Sequence, residues 1–296
     1  MTLYTTWILI TGSLVGLTCG VSGSILVLRK MSMISDAISH TVLLGIVLAF
    51  LVTQSLSGIP MLVGALIIGL FTAIFIESLH RTGIPSDAAI GVVFTSLFAI
   101  GVVLISLIGK QVHIDVKHAL MGEITFVPWN TLSLGKYTLG PVAVWMLSIV
   151  LVINILIIIL FYRELKISTF DSNYAKLIGI PVGYIHYLLM SMVSLSTVAS
   201  FDSVGAILVV AMLIVPGATA YLLSDKFIDV LVWSGIIGIS SAIFGYFIAS
   251  MYNVSISGAM ASMTGVFFLM ALLFSPSQGV LMKKKWYSPK FMRRRS

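Results

Sequence analysis

The chain has 296 residues, of which 59% are hydrophobic and only 9% are charged, and its mean hydropathy is +1.12. Apolar stretches of about 20 residues recur from end to end, and each can cross a hydrocarbon core of about 30 Å, which excludes a water-soluble globular domain. The net charge of +7 is concentrated in the tail 283–296, which predicts contact with anionic lipid and not with nucleic acid.

Nine apolar segments are predicted to span the membrane as helices, giving an all-α polytopic integral membrane protein. Eight would remain if the first segment or 184–200 lay in the membrane interface. The segments form one transmembrane domain, 1–282, which the basic cytoplasmic tail 283–296 follows. The predicted spans are 5–28, 33–53, 60–79, 87–108, 140–162, 184–200, 204–223, 228–250 and 258–276.

The basic residues between the spans predict the orientation of the chain. If the nine spans cross the membrane alternately, these basic residues fall on one side. The positive-inside rule identifies that side as the cytoplasm. The N-terminus then lies outside and the C-terminus inside, and 109–139 becomes the main outer loop despite Lys110 and Lys117. The basic groups on the inner side are Arg29-Lys30, Arg81, the loop 163–176, Lys226 and the tail.

A carboxylate and an imidazole lie four residues apart in the second span, at Asp36 and His40. Residues at this spacing share one face of a helix. Placing a charge within the hydrocarbon core costs at least about 2.5–3.5 kcal/mol, so a charged residue at that depth usually has a function. Oxygen and imidazole ligands suit a divalent first-row metal, which predicts a metal path here, with a lock between two helices as the alternative. The flanking Ser35 and Ser39 are expected to hydrogen-bond to neighbouring helices.

Four polar residues of the outer loop are candidates for receiving a cation, although solvated loop residues would look the same. They are His113, Asp115, His118 and Glu123. His80 and His186 lie near cytoplasmic ends and are expected to face solvent. Cys19, the one cysteine, supports neither a disulfide framework nor a Cys-based metal site.

The longest inner loop, about 163–183, contains signals for a short surface helix. Asp171 or Ser172 can cap a helix that runs through Ile178, and Gly179 and Pro181 would stop it. The helix either docks a soluble partner or lies on lipid.

A helix-breaking pair, Pro216-Gly217, interrupts the seventh span. It predicts a bend, which either gates a pathway or only serves packing. The sequence has no phosphate-binding loop and no H-E-x-x-H motif, so it is not expected to be an enzyme.

Four blocks in order resemble the permeases of the bacterial ABC importers that serve manganese, zinc and iron(II). They are Ser35–Gly45, Ala119–Pro128, Arg163–Gly179 and Val204–Ala220, and the resemblance covers nearly the whole chain. The second block is closer to the manganese type.

This resemblance implies an ABC importer permease fold in the bacterial inner or plasma membrane. It implies a second permease copy or a paralogue, a dimer of cytoplasmic ATPases, and an outer metal-binding protein. Asp36 and His40 would line the path of a transported metal, with no permanently bound cofactor. The residues implied in coupling to the ATPase are Glu164, Phe170, Asp171, Ala175 and Gly179.

Several alternatives remain open at this point. Zinc or iron(II) could replace manganese as the cargo. An ion-coupled secondary carrier would use Asp36 as a proton site, but would not need a docking helix at 163–181. A permease for a larger chelate would not need an Asp–His pair on one helix.

Overall fold

The structure is a computed structural model, and it describes residues 3–54, 58–108, 124–134 and 137–275. Within these ranges nine helical segments are long and apolar enough to cross a membrane, which confirms the predicted nine spans. The helices are α1 (Leu3–Leu28), α2 (Ser32–Thr53), α3 (Gly58–Arg81), α4 (Ser86–Ile108), α5 (Val142–Leu160), α6 (Tyr162–Phe170), α7 (Ser172–Leu177), α8 (Val182–Leu223), α9 (Phe227–Tyr252) and α10 (Ile256–Phe274).

A small non-helical unit precedes α5. A 3-10 helix, Ile124–Trp129, leads into strands β1 (Thr131–Leu134) and β2 (Tyr137–Pro141), which pair antiparallel. The Tyr4 hydroxyl of α1 donates to the Thr125 carbonyl, so this unit is tied to the first turn of α1. Within the described part of the chain, the two strands together hold nine residues beside nine helical spans, so the predicted all-α fold is confirmed.

Helix α1 lies at the centre of the bundle because small residues let other helices approach its backbone closely. A β-carbon added at Gly16 would lie 2.5 Å from the Gly238 carbonyl oxygen of α9. The Ser234 hydroxyl of α9 donates to the Gly20 carbonyl at 2.6 Å. Such close backbone contacts and buried hydroxyl bonds hold membrane helices together where the hydrophobic effect between them is absent.

Helix α8 contains two spans that run in opposite directions. Its first residues, Val182 and His186, line the same cavity as Arg29. Its last residue, Leu223, packs in one cluster with Leu28, one residue before Arg29. Both ends of α8 therefore lie at the end of the bundle that holds Arg29, called here the Arg29 end.

The reversal within α8 occurs at Gly205, where φ is 78° and ψ is 167°. This backbone conformation is essentially restricted to glycine. The predicted spans 184–200 and 204–223 already place a boundary just before Gly205, whereas the chain stays helical through the predicted interruption at Pro216-Gly217.

Two contacts surround the Pro216-Gly217 pair in α8. The Thr219 hydroxyl donates to the Val215 carbonyl at 2.7 Å. Gly217 lies against α1, where an added β-carbon would be 2.8 Å from the α-carbon of Ser24. The pair thus serves close packing of α8 on α1, and its part in gating stays a prediction.

Substitution of Gly205 by alanine is expected to destabilise the protein by about 1–3 kcal/mol, because the side chain would force an unfavourable backbone conformation. The measurement is thermal unfolding of the purified chain in detergent. Gly91→Ala is the matched control, since Gly91 lies in helix α4 with no atom within 4 Å of an added β-carbon. Equal melting temperatures for the two variants would contradict the expectation.

Candidate metal site in helix α2

Asp36 and His40 lie on one face of α2, as their spacing predicts. Nε2 of His40 is 3.5 Å from Oδ1 of Asp36, and the two side chains are 32% and 39% exposed. At this separation one divalent cation could contact both atoms. The pair can therefore hold one cation with little rearrangement.

Aromatic rings of α4 flank the imidazole of His40. The ring centroids of Phe94 and Phe98 lie 5.2 Å and 5.8 Å from that of His40. This wall excludes water from one side of the imidazole and limits its rotation. The exposed side of the pair is therefore the one that a cation would approach.

Within the described ranges, the serines beside the pair bond to the backbone of α2, whereas the sequence predicted bonds to neighbouring helices. The Ser35 hydroxyl donates to the Ser32 carbonyl at 2.6 Å, and the Ser39 hydroxyl donates to the Ser35 carbonyl at 2.9 Å. A serine in a helix reaches its own backbone easily, so no partner helix is required. Both serines are buried, so they lie on the face of α2 that packs against the rest of the protein.

Two ligands do not complete a coordination shell. Among the described residues, no group of three or more His, Cys, Asp and Glu side chains is placed to hold a metal ion. Further ligands would be water or groups of another chain. The predicted outer-loop residues His113, Asp115, His118 and Glu123 lie outside the described residues.

The predicted surface helix forms where the sequence placed it, as α7. Oδ1 of Asp171 accepts from the backbone N–H groups of Asn173 and Tyr174, at 3.1 Å and 2.9 Å. Gly179 has φ of 83° after the end of the helix. The N–H of Ile180 donates to the Ala175 carbonyl at 3.0 Å, which closes the C-terminal cap.

One face of α6 and α7 is anchored and the other carries exposed apolar side chains. Ala175 is buried, half-buried Glu164 lies in the first turn of α6, and the Phe170 ring meets the buried Phe227 at 6.3 Å. The exposed apolar side chains, called here the α7 patch, are Phe170, Tyr174, Leu177 and Ile178. Apolar surface of this kind, rimmed by polar residues, is typical of a docking site.

Sequence reasoning missed an ionic cluster at the Arg29 end of the bundle. Oε1 of Glu77 accepts from Nε of Arg81 at 2.9 Å, and its Oε2 lies 3.8 Å from Nε2 of His186. His186 is only 9% exposed, so the expectation that it faces solvent is wrong, whereas His80 is exposed. Glu77 within a predicted span was the available signal, because intramembrane carboxylates usually have partners.

Sequence reasoning also missed the role of Arg29, which was counted only for orientation. Its guanidinium donates from Nη2 to Oγ of Ser168 at 2.6 Å and from Nε to Oγ1 of Thr169 at 3.2 Å. Burial lowers the pKa of Arg29 to about 10, so it stays charged at neutral pH. These bonds join the α1–α2 turn to α6.

The chain is similar to known membrane proteins over most of its length. The family model described as ABC 3 transport family matches residues 1–275. The manganese transport system membrane protein MntD of Bacillus subtilis is 60% identical over 278 residues, covering 94% of each chain. The zinc transport system membrane protein TroD of Treponema pallidum is 42% identical, covering 90% of this chain and 73% of that one. The solved structure of PsaBC from Streptococcus pneumoniae in complex with Fab matches with a TM-score of 0.79 and 33% identity, covering 96% of each chain.

Proposed function

The chain belongs to the ABC 3 transport family, and on that premise we propose that it is the membrane permease of an ATP-driven importer of divalent metal cations, with manganese as the cargo. The sequence lacks the G-x-x-x-x-G-K-[ST] phosphate-binding loop, so ATP hydrolysis is assigned to separate subunits. The permease itself catalyses no reaction, and the metal is its cargo and not a resident cofactor.

The observation that carries this proposal is the Asp36–His40 pair. An acidic oxygen and an imidazole nitrogen lie 3.5 Å apart on a half-exposed face of a membrane-spanning helix. Among the residues that the structure describes, two protein ligands meet there, which favours weak binding. Weak binding is what transport requires, because the ion must leave again.

Manganese is favoured over zinc by the relatives and is compatible with the ligands. The manganese relative is 60% identical and the zinc relative 42%. Oxygen and imidazole ligands suit manganese, although intrinsic affinity would favour zinc. Soft thiolate coordination is unavailable from Cys19, which is buried and 3.2 Å from the Ser200 hydroxyl. We therefore assign most of the selectivity to the outer metal-binding protein.

The cytoplasmic partner is a pair of ATPase subunits, one of which docks on the α7 patch. Leu177, at the centre of the proposed contact, is 85% exposed although it is apolar. The cap at Asp171 and the left-handed Gly179 fix the helix at both ends, so its apolar face is presented without an ordering cost. The buried Ala175 and the contact of Phe170 with Phe227 hold this segment on the bundle.

A second permease copy or a paralogue covers the exposed side of α2, and an outer binding protein delivers the metal. In this arrangement the Arg29 end faces the cytoplasm, because Arg29, Lys30, Arg81 and Lys176 all line its cavity. The N-terminus is then outside, and the membrane is the plasma or inner membrane of a bacterium. The basic tail 283–296, outside the described residues, would touch anionic lipid.

The test is metal uptake into proteoliposomes that contain the chain with its ATPase and outer binding protein. We expect ATP-dependent accumulation of manganese, with less zinc and iron(II) at equal concentrations. The control is an ATPase that binds ATP but does not hydrolyse it, which should abolish uptake. Uptake driven by a proton or sodium gradient without ATP would contradict the proposal and indicate a secondary carrier.

A further inference from the structure

An open space separates the docking segment from the helix that carries the metal pair. The cavity at the Arg29 end has a volume of about 500 Å³. Its lining includes Ser168 and Thr169 of α6 and Met33 and Ile34 of α2. Side chains that line a cavity have no packing partners across it, so a displacement of one wall does not push directly on the other. A group that bridges this space would therefore give a movement of α6 and α7 a direct route to α2, besides the route through their packing on α8.

Arg29 is such a bridge. Its guanidinium makes two hydrogen bonds to neighbouring hydroxyls of α6, at 2.6 Å to Ser168 and at 3.2 Å to Thr169. Ser168 is itself buried, so the stronger bond is shielded from water. Hydrogen bonds from a charged donor are roughly twice as strong as neutral ones. A two-point attachment to consecutive residues also fixes the direction in which α6 can pull.

The turn that carries Arg29 is rigid. The backbone N–H of Lys30 donates to the Val27 carbonyl at 2.9 Å, and that of Met31 donates to the Leu26 carbonyl at 3.0 Å. Lys30 adopts φ of 58°, as the residue after a helix does in this closing motif. Helix α2 begins at Ser32, directly after this turn. A displacement of Arg29 is therefore passed to the first turn of α2.

We propose that Arg29 is a positioning residue that links the docking segment α6–α7 to the metal pair on α2. Asp36 lies about 6 Å along the helix axis from Ser32, and His40 about 12 Å. Movement imposed on α7 by the ATPase pulls Arg29 through Ser168 and Thr169, and the rigid turn shifts the start of α2. Arg29 does not touch the cargo. The inference rests on the proposed function, with the ATPase docked on the α7 patch.

The experiment measures ATP hydrolysis and manganese uptake in the same proteoliposomes, which contain the complete importer. In Arg29→Met we expect normal assembly and hydrolysis, while manganese transported per ATP falls about tenfold, within the range typical of coupling between sites. Lys30→Ala removes the adjacent positive charge and keeps both Arg29 bonds, so its ratio should stay at the wild-type value. A role in folding alone would not lower this ratio.

A second variant removes the acceptors and keeps the guanidinium. Ser168→Ala with Thr169→Val should lower the ratio as Arg29→Met does, and combining all three changes should lower it no further, because they break one link. If Arg29→Met fails to assemble, the acceptor variant still tests whether Arg29 links α6 to α2. A wild-type ratio in the acceptor variant, or a proportional fall of uptake and hydrolysis, would overturn the inference. Absence of ATP-dependent uptake in the wild type would instead overturn the proposed function.

Discussion

Replacing Asp36 or His40 with alanine is expected to lower ATP-dependent manganese uptake by at least about tenfold, since losing even a group that only hydrogen-bonds to a metal ligand costs this much. Each change leaves only one of the two ligands that lie 3.5 Å apart. One remaining ligand cannot offset the free energy that the cation loses when water leaves its hydration shell. The measurement is the initial rate of radiolabelled manganese uptake in proteoliposomes, at equal amounts of assembled importer.

The matched control for this experiment is Asp87→Asn. Asp87 is an exposed carboxylate in the first turn of α4, away from the pair. Its loss removes the same charge from the protein, and uptake should stay near the wild-type rate. If Asp36→Ala and His40→Ala transport normally, the pair only locks helices together, and the cation must pass by other groups.

Replacing Leu177 with glutamate is expected to detach the ATPase and thereby abolish uptake. Leu177 is 85% exposed and apolar, so the change should not disturb the fold of the isolated chain. In the docked state it would place a charge in an apolar contact, which typically costs several kcal/mol. The measurement is co-purification of the ATPase with the detergent-solubilised permease, followed by uptake in proteoliposomes.

Asn173→Ala is the control for the Leu177 variant, because it alters an exposed side chain of the same short helix outside the α7 patch. The backbone N–H of Asn173 still donates to Asp171, so the cap is kept. We expect the ATPase to co-purify with this variant as with the wild type. Co-purification of the ATPase with Leu177→Glu at the wild-type level would place the docking surface elsewhere.

Features fixed by short-range physics were predictable from the sequence. The spans follow from hydropathy, and the shared face of Asp36 and His40 follows from helix periodicity. The limits of α7 follow from a capping aspartate and a terminal glycine, Asp171 and Gly179. Each of these signals lies within a few residues of the structure it determines.

Features that depend on distant contacts were not predictable. Arg29 finds its partners 139 and 140 residues away in the chain. His186 is buried beside Glu77, which lies on another helix. The boundary between the spans 184–200 and 204–223 was predicted from hydropathy, but the residue at which the chain reverses was not, since a glycine in an apolar run, such as Gly205, is common.

The half-exposed face of α2 also bears on how the cell must handle the protein before transport begins. An unpaired copy presents the Asp36 carboxylate, 39% exposed, within a membrane span. Contact of such a charge with lipid costs at least about 2.5–3.5 kcal/mol. If the partner is an identical copy, association follows mass action, and the unpaired share grows as synthesis falls. Orphan copies are then the natural substrates of membrane quality control, and the amount of working importer should rise more steeply than the amount of chain produced.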